Sequence, residues 1–325
     1  MVVAAVLVPA FNVLTVDYAV RPAIQGLVDA VIVPLLVGSY LLFVRDGSLR
    51  GWFRRRGFWA DIALSSAAMV VLFLVGRALG QVVTTGSQRR FVQSFTDEHL
   101  AWALPFFVVM AVAIQLVLQM NRLIGANVLR YFMAGIYHRP RPEERIFLFL
   151  DLEGSTQLAE RLGSARYFEL LRRLVDDLTE PVLATQGEIY QYAGDEIVVT
   201  WPLALGVRSG NCVRCFFAIR SALLLQSGRY QRDFGAVPRL RGGLHGGDVT
   251  AGEIGDLKMQ IVFVGDILNT AARLEEYAKR EALDLVVSGS LLERLELPSG
   301  LSASRCGELA LRGKEERVIA FRVEG

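Results

Sequence analysis

Arg145-Ile146-Phe147-Leu148-Phe149-Leu150-Asp151 sets five consecutive apolar residues between an arginine and an aspartate. A run this short, closed by an acid, predicts a strand buried on both faces. A helical stretch from Ser155 to about Ala184 follows, then two short strands, Glu188 to Tyr192 and Ile197 to Trp201. Between those strands Ala193-Gly194-Asp195-Glu196 reads as the acidic tip of a β-hairpin. A helix from about Ser209 to Tyr230 and a strand from Arg239 to His245 complete the series. Strand–helix–strand–strand–helix–strand is the α+β ferredoxin-like (βαββαβ) order. That order alone carries no function.

Ahead of this unit the composition changes. A mean hydropathy of +0.38 with 53% hydrophobic residues is too apolar for an ordinary soluble chain, and most of the excess lies before residue 120. Four apolar segments stand there, roughly Val2 to Val20, Pro22 to Val44, Phe58 to Leu79 and Ala101 to Met120. Each is near the ~20 residues that cross a bilayer as a helix. The first lacks the basic start and the cleavage site of a signal peptide. The loop over 45–56 carries five arginines and one acid, so the positive-inside rule puts it in the cytoplasm. The fourth span then exits on the same side. The expectation is an integral, multi-pass protein of the inner or plasma membrane, in contact with lipid, whose polar half is cytoplasmic.

Residues 1–120 thus read as a membrane domain of about four helices, 121–144 as a helical linker, and 145–325 as one further domain. The linker is amphipathic up to Tyr137, and His138-Arg139-Pro140-Arg141-Pro142 stops it. Asp29, Asp61 and Arg77 lie inside or near the ends of the spans, where ionisable groups pair between helices or form a sensor. A net charge of +2 supplies no strong field, and no nucleic-acid partner is expected. Three cysteines make no disulfide framework, and Cys212 and Cys215 lie on an apolar helical run without a second ligand pair for zinc.

The chemistry starts with two acids. Asp151 ends the first strand and Asp195 stands at the hairpin tip, and the ferredoxin-like order sets that strand beside that hairpin. Two hard oxygen ligands without His or Cys suit Mg²⁺ or Mn²⁺ holding a triphosphate. Either acid alone would mean little, because acids are common at turns. A second constellation is Val264-Gly265-Asp266-Ile267-Leu268-Asn269-Thr270-Ala271-Ala272-Arg273. Asn269 and Arg273 share one helix face at i, i+4, where an amide and a guanidinium can hold a ribose and a phosphate. The same spacing also describes a solvent-facing pair.

Residues 146–322 resemble the class III adenylate/guanylate cyclase catalytic domain along their whole length. The motifs are Phe149-Leu150-Asp151-Leu152-Glu153-Gly154-Ser155-Thr156, Gly194-Asp195-Glu196, the glycine-rich run from Gly243 to Gly255, Gly265 to Arg273, and a terminal hairpin from Glu308 to Lys314. Any one is weak, and five in order are a strong signal. The resemblance implies that Asp151 and Asp195, helped by the backbone carbonyl of Leu152, bind two Mg²⁺ or Mn²⁺ ions per site. One ion would lower the pKa of the ribose 3′-hydroxyl for in-line attack on the α-phosphorus, and the other would neutralise the β- and γ-phosphates. Asn269 would orient the ribose and Arg273 would stabilise charge on the α-phosphoryl oxygens. The Gly154-Ser155-Thr156 turn would bring backbone N–H groups to phosphate, and Arg312 or Lys314 would touch the triphosphate. The resemblance further implies a homodimer with two composite sites, the aspartates of one chain facing the Asn and Arg of the other. His245 reads as structural.

The base-binding positions depart from the family's pattern. Many adenylate cyclases carry Lys four residues before the hairpin Asp, and Asp or Thr seven before the helix Asn. Here those positions are Gln191 and Val262. A Gln amide can serve adenine or guanine, and Val262 offers no hydrogen bond. Guanylate cyclases of the family typically have Glu at the first position, so the reading favours ATP. The expectation is a membrane-bound adenylate cyclase making 3′,5′-cyclic AMP and pyrophosphate for signal transduction. The alternatives are a guanylate cyclase making cGMP and a catalytically weak nucleotide-binding receptor domain. A diguanylate cyclase is disfavoured, since Gly194-Asp195-Glu196 lacks the second Gly and the Phe of the GGDEF motif.

Overall fold

A computed structural model describes residues 31–41, 43, 57–85, 98–124, 130–132, 134–256, 259–310 and 317–325. The chain divides into two units, Met1–Leu129 and Arg130–Gly325.

The first unit contains helices α1 (Phe58–Thr85) and α2 (Glu98–Ile124). Their stretches Phe58–Gly80 and Leu100–Asn121 are long and apolar enough to cross a membrane, and among the described residues these two meet that test. They correspond to the third and fourth expected segments. The first segment, much of the second and the loop over 45–56 lie outside the described residues, as does Asp29. Asp61 is buried between the two helices, accepting hydrogen bonds from Ser65 (3.4 Å) and from Gln119. Phe73 stacks on Phe107 with ring centroids 3.9 Å apart. A carboxylate among apolar side chains is costly without donors, so this pairing favours one alignment of the two helices.

The second unit is built on β1 (Arg141–Leu152). Its side chains alternate in the way a period of two requires. Ile146, Leu148, Leu150 and Leu152 enter one core with Leu170, Leu174, Cys212, Cys215 and Phe216. Phe147 and Phe149 enter a second core with Val249, Phe263, Ile267 and Ala271. The chain continues through α3 (Ser155–Leu162), α4 (Ser164–Ala184), the hairpin β2 (Glu188–Ala193) and β3 (Glu196–Pro202), then α5 (Leu203–Val207), α6 (Asn211–Leu225) and α7 (Ser227–Phe234). It ends with β4 (Leu240–Ile254), β5 (Gln260–Val264), α8 (Asp266–Arg280), β6 (Leu285–Ser288), α9 (Gly289–Leu292), β7 (Ser302–Ala310) and β8 (Arg317–Glu324). The strands form one sheet in the order β2-β3-β1-β4-β6-β8-β7, with β5 pairing β4 off that path. The part β2-β3-β1-β4 has the expected ferredoxin-like arrangement.

Several local expectations differ from what forms. The helix expected from Ser209 to Tyr230 is two, Asn211–Leu225 and Ser227–Phe234, parted at Gln226, and residues 134–137 of the linker expected to be helical are turns. The strand expected from Arg145 begins at Arg141, because residues 141–144 pair with β4 alone. With one side of the strand free, Pro142 and its missing N–H are tolerated. The helix expected from Ser155 to Ala184 is two helices, parted at Gly163, whose φ of +73° no helix contains. The strand expected to stop at His245 runs on to Ile254, since Gly246 and Gly247 still pair with Ile146 and Arg145. Glycine lowers strand propensity, and here the ladder to β1 overrides it.

The linker ends in a buried polar network. Arg145, only 1% exposed, donates to Glu143 (2.7 Å), Glu188 (3.0 Å) and the Tyr137 hydroxyl (3.3 Å), and lies 4.5 Å from the centre of the Phe263 ring. The Tyr131 hydroxyl donates to Glu188 at 2.8 Å. Burial opposes the charge on Arg145, and Glu188 with Glu143 more than restores it, so its pKa is held above the usual arginine value. Residues 131 and 137 are thereby tied to β1 and β2.

Gly243 sets how closely α8 rides on β4. A Cβ there would overlap the backbone nitrogen of Glu275 and the carbonyl oxygen of Ala271. Gly243→Ala should therefore lower stability by about 2–4 kcal/mol, as overpacking against backbone does. Chemical denaturation of the full chain measures this, and a loss below about 0.5 kcal/mol would refute the close approach.

Candidate active site

Carboxylates gather where β1 ends. The antiparallel register of β1 with β3 runs to Leu150↔Ile197, so the following positions set Asp151 beside Glu196 and the Gly194-Asp195 turn. Gly194 turns the hairpin at a φ of +67°, open to glycine at little steric cost. Asp151 and Asp195, 44 residues apart in sequence, thus stand at adjacent strand ends. Leu152 has its side chain wholly in the core, so only its main chain can offer a ligand.

The charge around Asp151 is unbalanced. Lys279 of α8 donates from Nζ to Asp151 Oδ2 at 2.6 Å, and that bond is the main cause raising its pKa above the ordinary lysine value. Burial, then Asp151 and Asp195, raises the Glu196 carboxyl. Glu275 is buried with its Oε1 unpartnered, and burial followed by the charge of Asp151 pushes it up to about 7. Two buried carboxyls raised further by their acidic neighbours, one of them with an orphaned oxygen, fit a site built for added positive charge. Among the described residues no three His, Cys, Asp or Glu side chains converge as metal ligands. Two carboxylates and a main-chain oxygen suit Mg²⁺, which takes its other ligands from phosphate and water.

Beside this pair, Gly154 adopts a φ of +67° and α3 starts directly after it. Ser155 and Thr156 lie in the first helical turn, where backbone N–H groups lack intrahelical partners and attract anions. Tyr167 of α4 hydrogen-bonds Ser155 and is raised by burial, then by Asp195.

Asn269 and Arg273 lie one turn apart on α8, Asn269 exposed and Arg273 half-buried. Lys279, which touches Asp151, is ten residues beyond Asn269, about 15 Å of helix axis. The fold brings Asp151 to Asp195, and Asn269 to Arg273, while α8 keeps the two pairs apart. Gln191 is exposed on β2 beside a bulge, and Val262 lies on β5 opposite Gly252. Their neighbours Tyr190 and Phe263 pack with ring centroids 5.2 Å apart. Arg312 and Lys314 lie outside the described residues. His245 Nδ1 is 2.7 Å from Ser288 Oγ, at the N-terminus of α9. Cys212 and Cys215 are buried thiols pushed up to about 12 by desolvation, hence inert.

Sequence reasoning missed Lys279, Glu275 and Tyr167. The only available signal for the first two was their i, i+4 spacing on the helix that carries Asn269, which ordinarily marks a surface pair.

The sheet order and the two acids at the β1 and hairpin ends define the fold of a nucleotide cyclase catalytic domain. Solved structures share that fold. A bacterial light-regulated adenylyl cyclase matches with a TM-score of 0.57 at 20% identity, over 70% of this chain and 66% of its own. The adenylyl cyclase CyaB from P. aeruginosa matches with a TM-score of 0.51 at 19% identity, over 57% of this chain and 96% of its own. A family model described as the adenylate and guanylate cyclase catalytic domain matches residues 139–325, and the chain belongs to that class III family. Among curated relatives, adenylate cyclase 2 of Rhizobium meliloti (strain 1021) is 40% identical over 205 residues, 63% of this chain and 56% of that protein. The adenylate cyclase of Anabaena cylindrica is 24% identical over 189 residues, 54% of this chain and 36% of that protein. The chain thus matches little more than half the length of the first and about a third of the second.

The titration of Glu275 gives a test. Its folded pKa of about 7 lies above the ordinary 4.5, so its contribution to stability is fully present below about pH 4.5 and lost as pH rises through 7. In EDTA, Glu275→Gln should therefore unfold at a higher temperature than wild type at pH 8, by a few degrees, and at nearly the same temperature at pH 5. A difference independent of pH would show that this carboxyl does not titrate in that range.

Proposed function

We propose that the chain is a membrane-anchored adenylate cyclase that converts ATP to 3′,5′-cyclic AMP and pyrophosphate in the cytoplasm. The observation that carries the reading is the pair Asp151 and Asp195 at adjacent strand ends, with Asn269 and Arg273 on one face of α8. In this reading Asp151, Asp195 and the Leu152 carbonyl hold two Mg²⁺ or Mn²⁺ ions, which when bound acidify the 3′-hydroxyl and neutralise the triphosphate. Asn269 orients the ribose so that O3′ lies in line with the α-phosphorus and the departing pyrophosphate. Arg273 stabilises the charge that grows on the α-phosphoryl oxygens. The N–H groups of the Gly154-Ser155-Thr156 turn face phosphate, and Arg312 or Lys314 contacts the triphosphate tail. Gln191 meets the base edge with one donor and one acceptor while Val262 adds only surface.

The active form in this reading is a homodimer. Arg273 and Asn269 lie about 9 and 15 Å along the axis of α8 from Lys279, which touches Asp151, so the two pairs are better combined across a two-fold axis than within one chain. Exposed Tyr192, Ile254, Met259 and Val264 on or beside β2, β4 and β5 give such a dimer apolar surface to cover. The membrane part, of about four helices over 1–120, presents the catalytic domain (145–325) on the cytoplasmic side through the 121–144 linker. Helices α1 and α2, each long enough to span, and the five arginines over 45–56 support this topology.

Two measurements test the reading. Product analysis of the purified full chain with Mn²⁺ or Mg²⁺ should show cyclic AMP from ATP, with kcat/KM for ATP above that for GTP. A tenfold GTP preference, equal to about 1.4 kcal/mol at the transition state, would instead assign a guanylate cyclase, as Gln191 and Val262 would permit. For the composite site, Asp195→Ala and Asn269→Ala should each abolish or steeply lower turnover alone. Co-expressed, about half the dimers are mixed, each with one intact site, so roughly a quarter of wild-type activity should return. No recovery from confirmed mixed dimers would place each site within one chain.

A further inference from the structure

The ammonium of Lys279 sits on one of the two carboxylates that the proposed reading assigns to metal. Its Nζ lies 2.6 Å from Asp151 Oδ2, and the lysine side chain is 54% exposed against 13% for the aspartate. The backbone beneath it is fixed. Arg241, directly opposite Asp151 in the β1–β4 register, donates to the carbonyl oxygen of Lys279 (2.7 Å) and to Glu153 (2.8 Å). This fastens the last turn of α8 to β4 while the lysine stem keeps its rotational freedom. One turn earlier, Glu275 is buried with an unpartnered Oε1. Asp151, Asp195 and Glu275 all act on the ammonium.

We propose that Lys279 is a built-in competitor for the divalent cation at Asp151, holding the carboxylate while no metal is bound and swinging away before one can ligate. This rests on the reading of Asp151 and Asp195 as the metal pair. An ammonium and a divalent ion on one carboxylate repel each other strongly at such short range. The exchange breaks an N–H···O hydrogen bond and forms a metal–oxygen bond, with no proton or electron transferred. The half-exposed side chain can leave without disturbing the core. Free metal therefore binds more weakly than the two carboxylates alone would allow, and Lys279 sets that penalty.

The test is Mn²⁺ binding to the full chain without nucleotide, by titration calorimetry or by the electron paramagnetic resonance signal of free Mn²⁺. Lys279→Met and Lys279→Gln should each bind Mn²⁺ about three- to tenfold more tightly than wild type, the scale of a partly exposed ion pair plus one removed charge. Lys279→Arg, which keeps the charge, should stay near wild type, and Asp195→Asn should lose most of the binding. If both neutral variants bind no more tightly than wild type while Asp195→Asn loses binding, Lys279 is not a competitor. If Asp195→Asn binds like wild type, Mn²⁺ does not sit on the carboxylate pair and both readings fail.

Discussion

The contact between α8 and β4 at Gly243 is the constraint on which the rest of the site depends. Because that position has no side chain, the backbone of the helix at Ala271 and Glu275 rests directly on the strand. Three consequences follow from that one approach. Asn269 and Arg273 are held on the open part of the helix, Glu275 is pressed out of water, and Lys279 comes within reach of Asp151. A helix one methyl group further out would alter all three together.

That geometry stores negative charge at a place where burial makes it costly. The hairpin turn adds Asp195 and Glu196 to Asp151, and α8 adds Glu275, while Lys279 supplies one compensating charge. A core that merely needed stability would replace such groups by apolar ones. Their retention at the mouth of two strand ends fits a site completed by cations and by a polyanionic substrate. The same helix carries the other half of the proposed chemistry about 9 to 15 Å along its axis, which is why the proposed reaction calls for a second copy.

The entry to the catalytic unit is equally specific. Tyr131 and Tyr137 are gripped by the Arg145–Glu143–Glu188 network, in which a fully buried guanidinium keeps its charge because two carboxylates face it. Phe263, whose ring Arg145 covers, packs on Tyr190 and Phe147, so the end of the linker and the strands bearing Gln191 and Val262 share one aromatic core.

Much of this was legible in the amino-acid sequence. The apolar run before Asp151, the glycine–aspartate hairpin and the i, i+4 pair Asn269 and Arg273 are local patterns, and local patterns follow from backbone periodicity and turn chemistry. The two apolar helices were legible for the same reason, since length and hydropathy need no partner. The extension of β4 through Gly246 and Gly247 was not, because its stability comes from β1 and not from its own residues. Nor was the meeting of Lys279 with Asp151, 128 positions away, or the burial of Glu275. By itself the sequence determined which local motifs form and which faces are apolar, and from these the proposed site residues were named. Only the tertiary structure decided which charges face one another, because that depends on how closely two distant backbones can approach.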